Sequence, residues 1–143
     1  MQLTIFTDYG LRSLMYLAAQ PAKTCSVREI AEHFGVSRNH LVKVVHRLAQ
    51  LGYVTSSKGK GGGIRLAQPA DTLKVGDLVR ELEPNMHLVE CFDRTNNTCR
   101  VISACDLQHM LHKANRAFLS ALNDYTLADA VKNRSLFIGT AAR

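Results

Sequence analysis

Three cysteines, Cys91, Cys99 and Cys105, fall within fifteen residues in a stretch rich in Asn, Thr and Arg, while the fourth, Cys25, stands far from them. The gaps of seven and five residues fit neither the paired C-x2-C of a zinc ribbon nor the C-x-x-C of a thiol oxidoreductase. Three thiolates on one irregular segment can nevertheless wrap a single metal centre. The last of them sits where a long helix is expected to begin, an end whose free amides favour the thiolate. Spacing leaves several chemistries open: an iron-sulfur cluster, zinc completed by His87, His109 or His112, thiol redox sensing, or inert cysteines. Cys25, just before a helix cap, reads as structural. Catalysis is not expected. No nucleophile has a base partner at motif spacing, and the glycine run has neither the phosphate-loop pattern nor the third glycine of a dinucleotide fold.

Unpaired thiols of this kind belong to a reducing compartment. The apolar opening residues are interrupted by Asp8 and Arg12 with no small-residue cleavage site after them, and no apolar run approaches bilayer length. A cytoplasmic protein with no membrane partner is expected. The 143 residues allow one ordinary domain, or a small one with an oligomerisation element. Charge is unevenly placed: residues 1–80 hold 11 Lys/Arg against 5 Asp/Glu, the whole net excess of +6, and the remainder holds 7 of each. A basic half joined to a neutral half suits a polyanion-binding module beside a sensing or assembly module.

The elements that would carry these groups are mainly α-helical. Residues 4–20 read as a first helix stopped by Pro21. Ser26 and Glu29 form a capping-box pattern for a second, short helix ended by Gly35. Ser37 caps a third helix over residues 38–50, closed by Gly52. Two helices joined by a tight glycine-containing turn make a helix-turn-helix pattern. On the third helix, Leu41, Val44, Val45 and Leu48 form a buried stripe. Ser37, Arg38, Asn39, His40, Lys43 and Arg47 then lie where a recognition helix meets base edges and phosphates. Residues 53–55 and 64–66 are strands of a two-stranded β wing around Lys58-Gly59-Lys60-Gly61-Gly62-Gly63, with Lys58, Lys60 and Arg65 as counter-charge for a phosphate backbone. An amphipathic helix from about Lys74 to Pro84 completes a DNA-binding unit over residues 1–83.

Residues 84–103 form the cysteine segment. Over residues 104–143, Ser103 is expected to cap a long helix running to about Asn123, with Leu107, Leu111, Ala114, Phe118, Ala121, Leu122 and Tyr125 on one side. That stripe approaches a heptad seam and calls for a partner, most simply a second copy of the chain. Thr126 would restart a short helix, and the last ten residues read as frayed.

These motifs together resemble the winged-helix iron-sulfur transcription regulators over nearly the whole chain. The resemblance rests on Thr7-Asp8-Tyr9-Gly10-Leu11-Arg12, on Val36-Ser37-Arg38-Asn39-His40-Leu41-Val42-Lys43, on the wing from Lys58 to Leu66, and on the cysteine triplet. Asp77-Leu78-Val79-Arg80-Glu81-Leu82-Glu83-Pro84 and Asn123-Asp124-Tyr125-Thr126-Leu127-Ala128-Asp129 point to the nitric-oxide-sensing branch. The resemblance implies a homodimer that represses transcription on inverted-repeat, double-stranded operator DNA, with nitric oxide as the signal. It also implies one 2Fe-2S or 4Fe-4S cluster per subunit, held by Cys91, Cys99 and Cys105. Asp8 matches the position of a carboxylate ligand reaching across from the other subunit. The seven-residue first cysteine gap is long for the family, so the cluster type stays open.

Overall fold

The computed structural model describes residues 1–138. Six α-helices and one two-stranded antiparallel sheet follow in the order α1 (Ile5–Ala19), α2 (Val27–Phe34), α3 (Arg38–Gln50), β1 (Val54–Ser57), β2 (Gly63–Leu66), α4 (Val75–Leu82), α5 (Asp106–Leu122) and α6 (Leu127–Ala130). Among the described residues no helix is long and apolar enough to cross a membrane.

Local chemistry sets the first three helix starts. Thr4, Ser26 and Ser37 each accept a hydrogen bond from the backbone N–H three residues on, satisfying an amide the helix cannot. Gly35 ends α2 in the left-handed conformation, φ 63°, which costs glycine least. The expected capping box at α2 is realised on its Ser26 side, while the Glu29 carboxylate accepts from the Tyr16 hydroxyl at 3.0 Å and pairs with Lys23. This ties α1 to α2. Leu14, Leu17, Ile30, Leu41, Val44, Leu48, Val54, Ile64, Leu78 and Leu127 form the centre of one core that α1 to α4, α6 and both strands share, while α5 buries no residue fully.

The wing pairs Val54 with Leu66 through Ser57 with Gly63. The outer edge of β2 is extended by a buried bridge: the Cys25 N–H donates to the Ile64 carbonyl at 2.9 Å, and the Ile64 N–H returns to the Cys25 carbonyl at 2.7 Å. Gly63, with φ 151°, lets this happen. A Cβ there would lie 2.6 Å from the Cys25 carbonyl oxygen.

Three sequence expectations need correction. Ser103 does not cap the long helix; it lies in a single 3-10 turn, Ile102–Ala104, and Cys105 is the cap residue of α5 with no side-chain cap bond. The expected stripe on α5 divides between two faces. Leu111, Phe118 and Leu122 are half-buried against their own subunit, whereas Leu107, Ala114, Ala121 and Tyr125 are exposed. The chain after α6 is ordered further than its composition suggested, because Phe137 is buried in the core and its ring lies 6.1 Å from that of His33 and 6.4 Å from that of Phe34. The rest of the segment expected to fray, residues 139–143, lies outside the described residues.

Candidate nucleic-acid interface and thiol loop

Ser37, Arg38, Asn39, His40, Lys43 and Arg47 are all exposed, on the side of α3 away from Leu41, Val44, Val45 and Leu48. Burial of the apolar stripe fixes the helix rotationally, so the polar face has one outward direction. Lys58, Lys60 and Arg65 are exposed on the wing beside it. Gly59 and Gly61 at the wing tip have φ 92° and 79°. A Cβ on Gly62 would meet the Ser57 carbonyl at 2.4 Å, so the tip closes only around glycine. The result is a cationic surface, rich in hydrogen-bond donors, suited to a phosphate backbone and base edges.

Beside α3 lies an open cleft of about 710 Å³ lined by Lys43, His46, Arg47, Arg80, Thr4 and Glu83, among others. Glu83 is a residue the sequence did not single out. Its carboxylate accepts from the Thr4 N–H at 3.1 Å, the Thr4 hydroxyl at 3.1 Å and the Thr7 hydroxyl at 2.5 Å. Thr7 is fully buried. The acid therefore caps the amino end of α1 from the far end of α4, immediately before the cysteine segment begins at Pro84. No local pattern could reveal a tie spanning 76 to 79 residues.

All four cysteines are free thiols. Cys25 is fully buried, and burial pushes its thiol pKa up, as expected for a structural residue. Cys91, Cys99 and Cys105 are half-buried. Cys91 lies in a one-turn helix, Glu90–Phe92, and Cys105 stands at the start of α5 as expected. The segment between them folds on itself: Asp93 accepts from Thr95 and Asn96, and Glu90 accepts from the Thr98 hydroxyl at 2.6 Å. These donors hold both carboxyls below the usual carboxylate range.

Three contacts moor the loop to α5. The Gln108 amide donates to the Cys91 carbonyl at 3.2 Å, the Asn115 amide to the Met86 carbonyl at 2.9 Å, and the Phe92 and His112 rings stack at 3.8 Å. The donor set, three thiols on one loop, has the softness that iron-sulfur and zinc centres need. Among the described residues, however, no three His, Cys, Asp or Glu groups are gathered closely enough to hold a metal. Asp8 is half-exposed and ion-paired with Arg12 at 2.8 Å, and it is in no metal-holding group with the thiols among the described residues. His87, His109 and His112 are likewise not gathered with them.

The family model described as Rrf2, an iron-dependent transcriptional regulator, matches residues 3–133. The chain belongs to the Rrf2 family. The HTH-type transcriptional regulator NsrR of Bacillus subtilis (strain 168) is 46% identical to this Rrf2 chain over 135 residues, which is 94% of this chain and 92% of that protein. Two solved Rrf2 structures carry the same fold: T. potens IscR, with TM-score 0.72, 26% identity and coverage of 93% of this chain and 88% of that one, and Staphylococcus aureus CymR, with TM-score 0.70, 25% identity and coverage of 90% and 97%. This Rrf2 protein is therefore a transcription regulator of winged-helix fold, and not an enzyme.

Proposed function

We propose that this Rrf2 protein is a cytoplasmic, nitric-oxide-sensitive iron-sulfur repressor that binds inverted-repeat operator DNA as a homodimer. The observation that carries the reading is the position of α5, which has the free-thiol loop moored to one face and an uncovered apolar seam on the other. Leu107, Met110, Ala114, Ala117 and Ala121 are all exposed and recur at heptad-like spacing, with exposed Tyr125 in the turn just beyond, and Leu107 and Met110 are 60% and 63% exposed. A second copy of the same helix is the occupant that such a self-complementary seam suits. Ser37, Arg38, Asn39, His40, Lys43 and Arg47 enter the major groove, and Lys58, Lys60 and Arg65 of the wing engage the backbone or the adjacent groove.

Cys91, Cys99 and Cys105 would hold one 2Fe-2S or 4Fe-4S cluster per subunit, and Asp8 of the partner subunit would supply an oxygen ligand. When bound, the cluster offers an iron with a weakly held ligand, which nitric oxide can attack. The rest of the switch belongs to the chain. Asp8 must leave Arg12, and an exposed i,i+4 ion pair of this kind is worth only about 0.5 kcal/mol, so the exchange costs little. Closing the loop then ties α1, which packs on α3, to the partner's thiols and fixes the separation of the two recognition helices. Losing that tie lowers operator affinity a hundredfold if the coupling is about 2.7 kcal/mol, within the range of one such clasp.

The test is an anaerobic operator titration with nitric oxide, read simultaneously by visible spectrum and gel mobility. Wild-type protein should bind, lose its visible band and release DNA together. Cys91→Ala, Cys99→Ala and Cys105→Ala should each be colourless and fail to repress. Retained, nitric-oxide-responsive repression in any of them rejects the scheme. A second reading is a zinc- or redox-responsive regulator of the same fold, for which three half-buried free thiols are also suitable groups; a colourless sample with stoichiometric zinc would select the zinc form.

A further inference from the structure

The outward face of α3 is polar except at Val42 and, near its carboxyl end, at the small Ala49. Val42 is 49% exposed. It stands one helical step from Asn39 and His46 and next to Lys43, so all four share the face that the buried stripe turns outward. An isolated exposed valine on an arbitrary surface needs no explanation. Here its neighbours are the groups that would contact base edges, and about half of its surface stays open to a ligand. In the major groove the apolar feature available to such a side chain is the 5-methyl group of thymine, and among the common bases thymine alone has it.

We propose that Val42 is a specificity-determining residue that packs against a thymine methyl in each operator half-site, beside an adenine contacted by Asn39. The inference rests on the DNA-binding reading above and deepens it. Asn presents its amide to adenine N6 and N7 in a two-bond fork, and a thymine methyl one step along the groove is the apolar complement to the valine side chain. The half-site is then expected to carry an A and a T at the positions this face spans.

The test removes single methyl groups. A duplex is first selected from a random pool by the wild-type protein, and copies are made in which each thymine in turn is replaced by deoxyuridine, which differs only by that methyl. Wild-type binding should weaken about fourfold at one thymine per half-site, and about fifteenfold when both half-sites are altered. Val42→Ser, at an exposed helical site where Ser and Val have similar propensity, should bind thymine and deoxyuridine copies equally. Val42→Ile should restore the difference. Equal wild-type affinity for every substituted copy overturns the proposal, as does undiminished methyl sensitivity in Val42→Ser. Failure to select any duplex would instead reject the DNA-binding reading itself, and this inference with it.

Discussion

Replacing Glu83 by Ala should cost about 2–4 kcal/mol of folding stability. The carboxylate takes three hydrogen bonds from Thr4 and Thr7, at 3.1, 3.1 and 2.5 Å, and stands at the positive end of the α1 dipole. Hydrogen bonds to a charged acceptor contribute about 1.5–3 kcal/mol, and a carboxylate at a helix amino end about 0.3–1 kcal/mol. Against simple addition, Thr4 is only half-buried, so water replaces part of what its groups lose. The buried Thr7 hydroxyl has no access to water, but it keeps the Thr4 hydroxyl at 3.1 Å. The Thr7–Glu83 contact can be isolated in a double-mutant cycle with Thr7→Val, which preserves shape and removes only the hydroxyl. Alone, Thr7→Val should cost about 1 kcal/mol; in the Glu83→Ala background it should cost almost nothing, giving a coupling of about 1 kcal/mol. Urea unfolding followed by circular dichroism, at one fixed protein concentration because the proposed dimer links stability to concentration, measures all four corners. A coupling below about 0.5 kcal/mol, or a Glu83→Ala cost below about 1 kcal/mol, would show that α1 and α4 are held by packing and not by this acid.

At Gly76, helix propensity and packing oppose each other, and packing should win. Ala is the better helix former by about 1 kcal/mol, but its Cβ would lie 2.3 Å from the Leu119 carbonyl and 2.5 Å from Asn123 Oδ1, which itself accepts from the Asp77 N–H at 3.0 Å. Overpacking costs of about 1–3 kcal/mol, added to the disturbed bond, predict a net loss near 1–2 kcal/mol in thermal unfolding; a raised Tm would refute the close α4–α5 approach. The α6 capping box makes a pH prediction. Asp129 accepts from the Thr126 N–H at 2.9 Å and the Thr126 hydroxyl at 3.0 Å and pairs with Lys132, which lowers its pKa from its ordinary 3.8 to about 2. A depressed carboxylate stabilises the fold above its unfolded pKa and loses that contribution as pH falls through the folded one. Asp129→Ala should therefore unfold at lower temperature than wild type at pH 7, and the gap should narrow between pH 4 and pH 2; a gap independent of pH would mean that the carboxylate's charge plays no part.

The helix-turn-helix was legible because its signals are local. Ser26, Gly35 and Ser37 each act within four residues, and the alternation of Leu41, Val44, Val45 and Leu48 with charged neighbours sets the orientation of α3 without reference to the rest of the chain. The wing was equally readable from its glycines, although its first strand runs to Ser57, two residues beyond the apolar run. Legibility failed where a residue's partner is distant. Leu107 and Leu111 are both apolar on one amphipathic helix, and periodicity cannot say that Leu111 packs on its own subunit while Leu107 stays exposed. Phe137 gave no helical or strand pattern, yet the pocket beside His33 and Phe34 takes it. Glu83 looked like an ordinary end-of-helix acid, and its role exists only once α1 is folded against it. The cysteine triplet is an intermediate case, since residue types and order suggested the chemistry while the loop's moorings to Gln108, His112 and Asn115 could be seen only in three dimensions.

The bridge between Cys25 and Ile64 divides the wing into a knuckle and a fingertip. Because the second strand of the finger shares a solvent-excluded backbone bridge with the link between α1 and α2, its offset from the reading helix is built into the fold. Whatever adaptation a bent or narrowed duplex demands must come from the few residues around Gly59 and Gly61. Those residues touch no part of the core, so their sequence is free to change without endangering the scaffold, and relatives with different tips could explore new binding preferences on an unaltered frame.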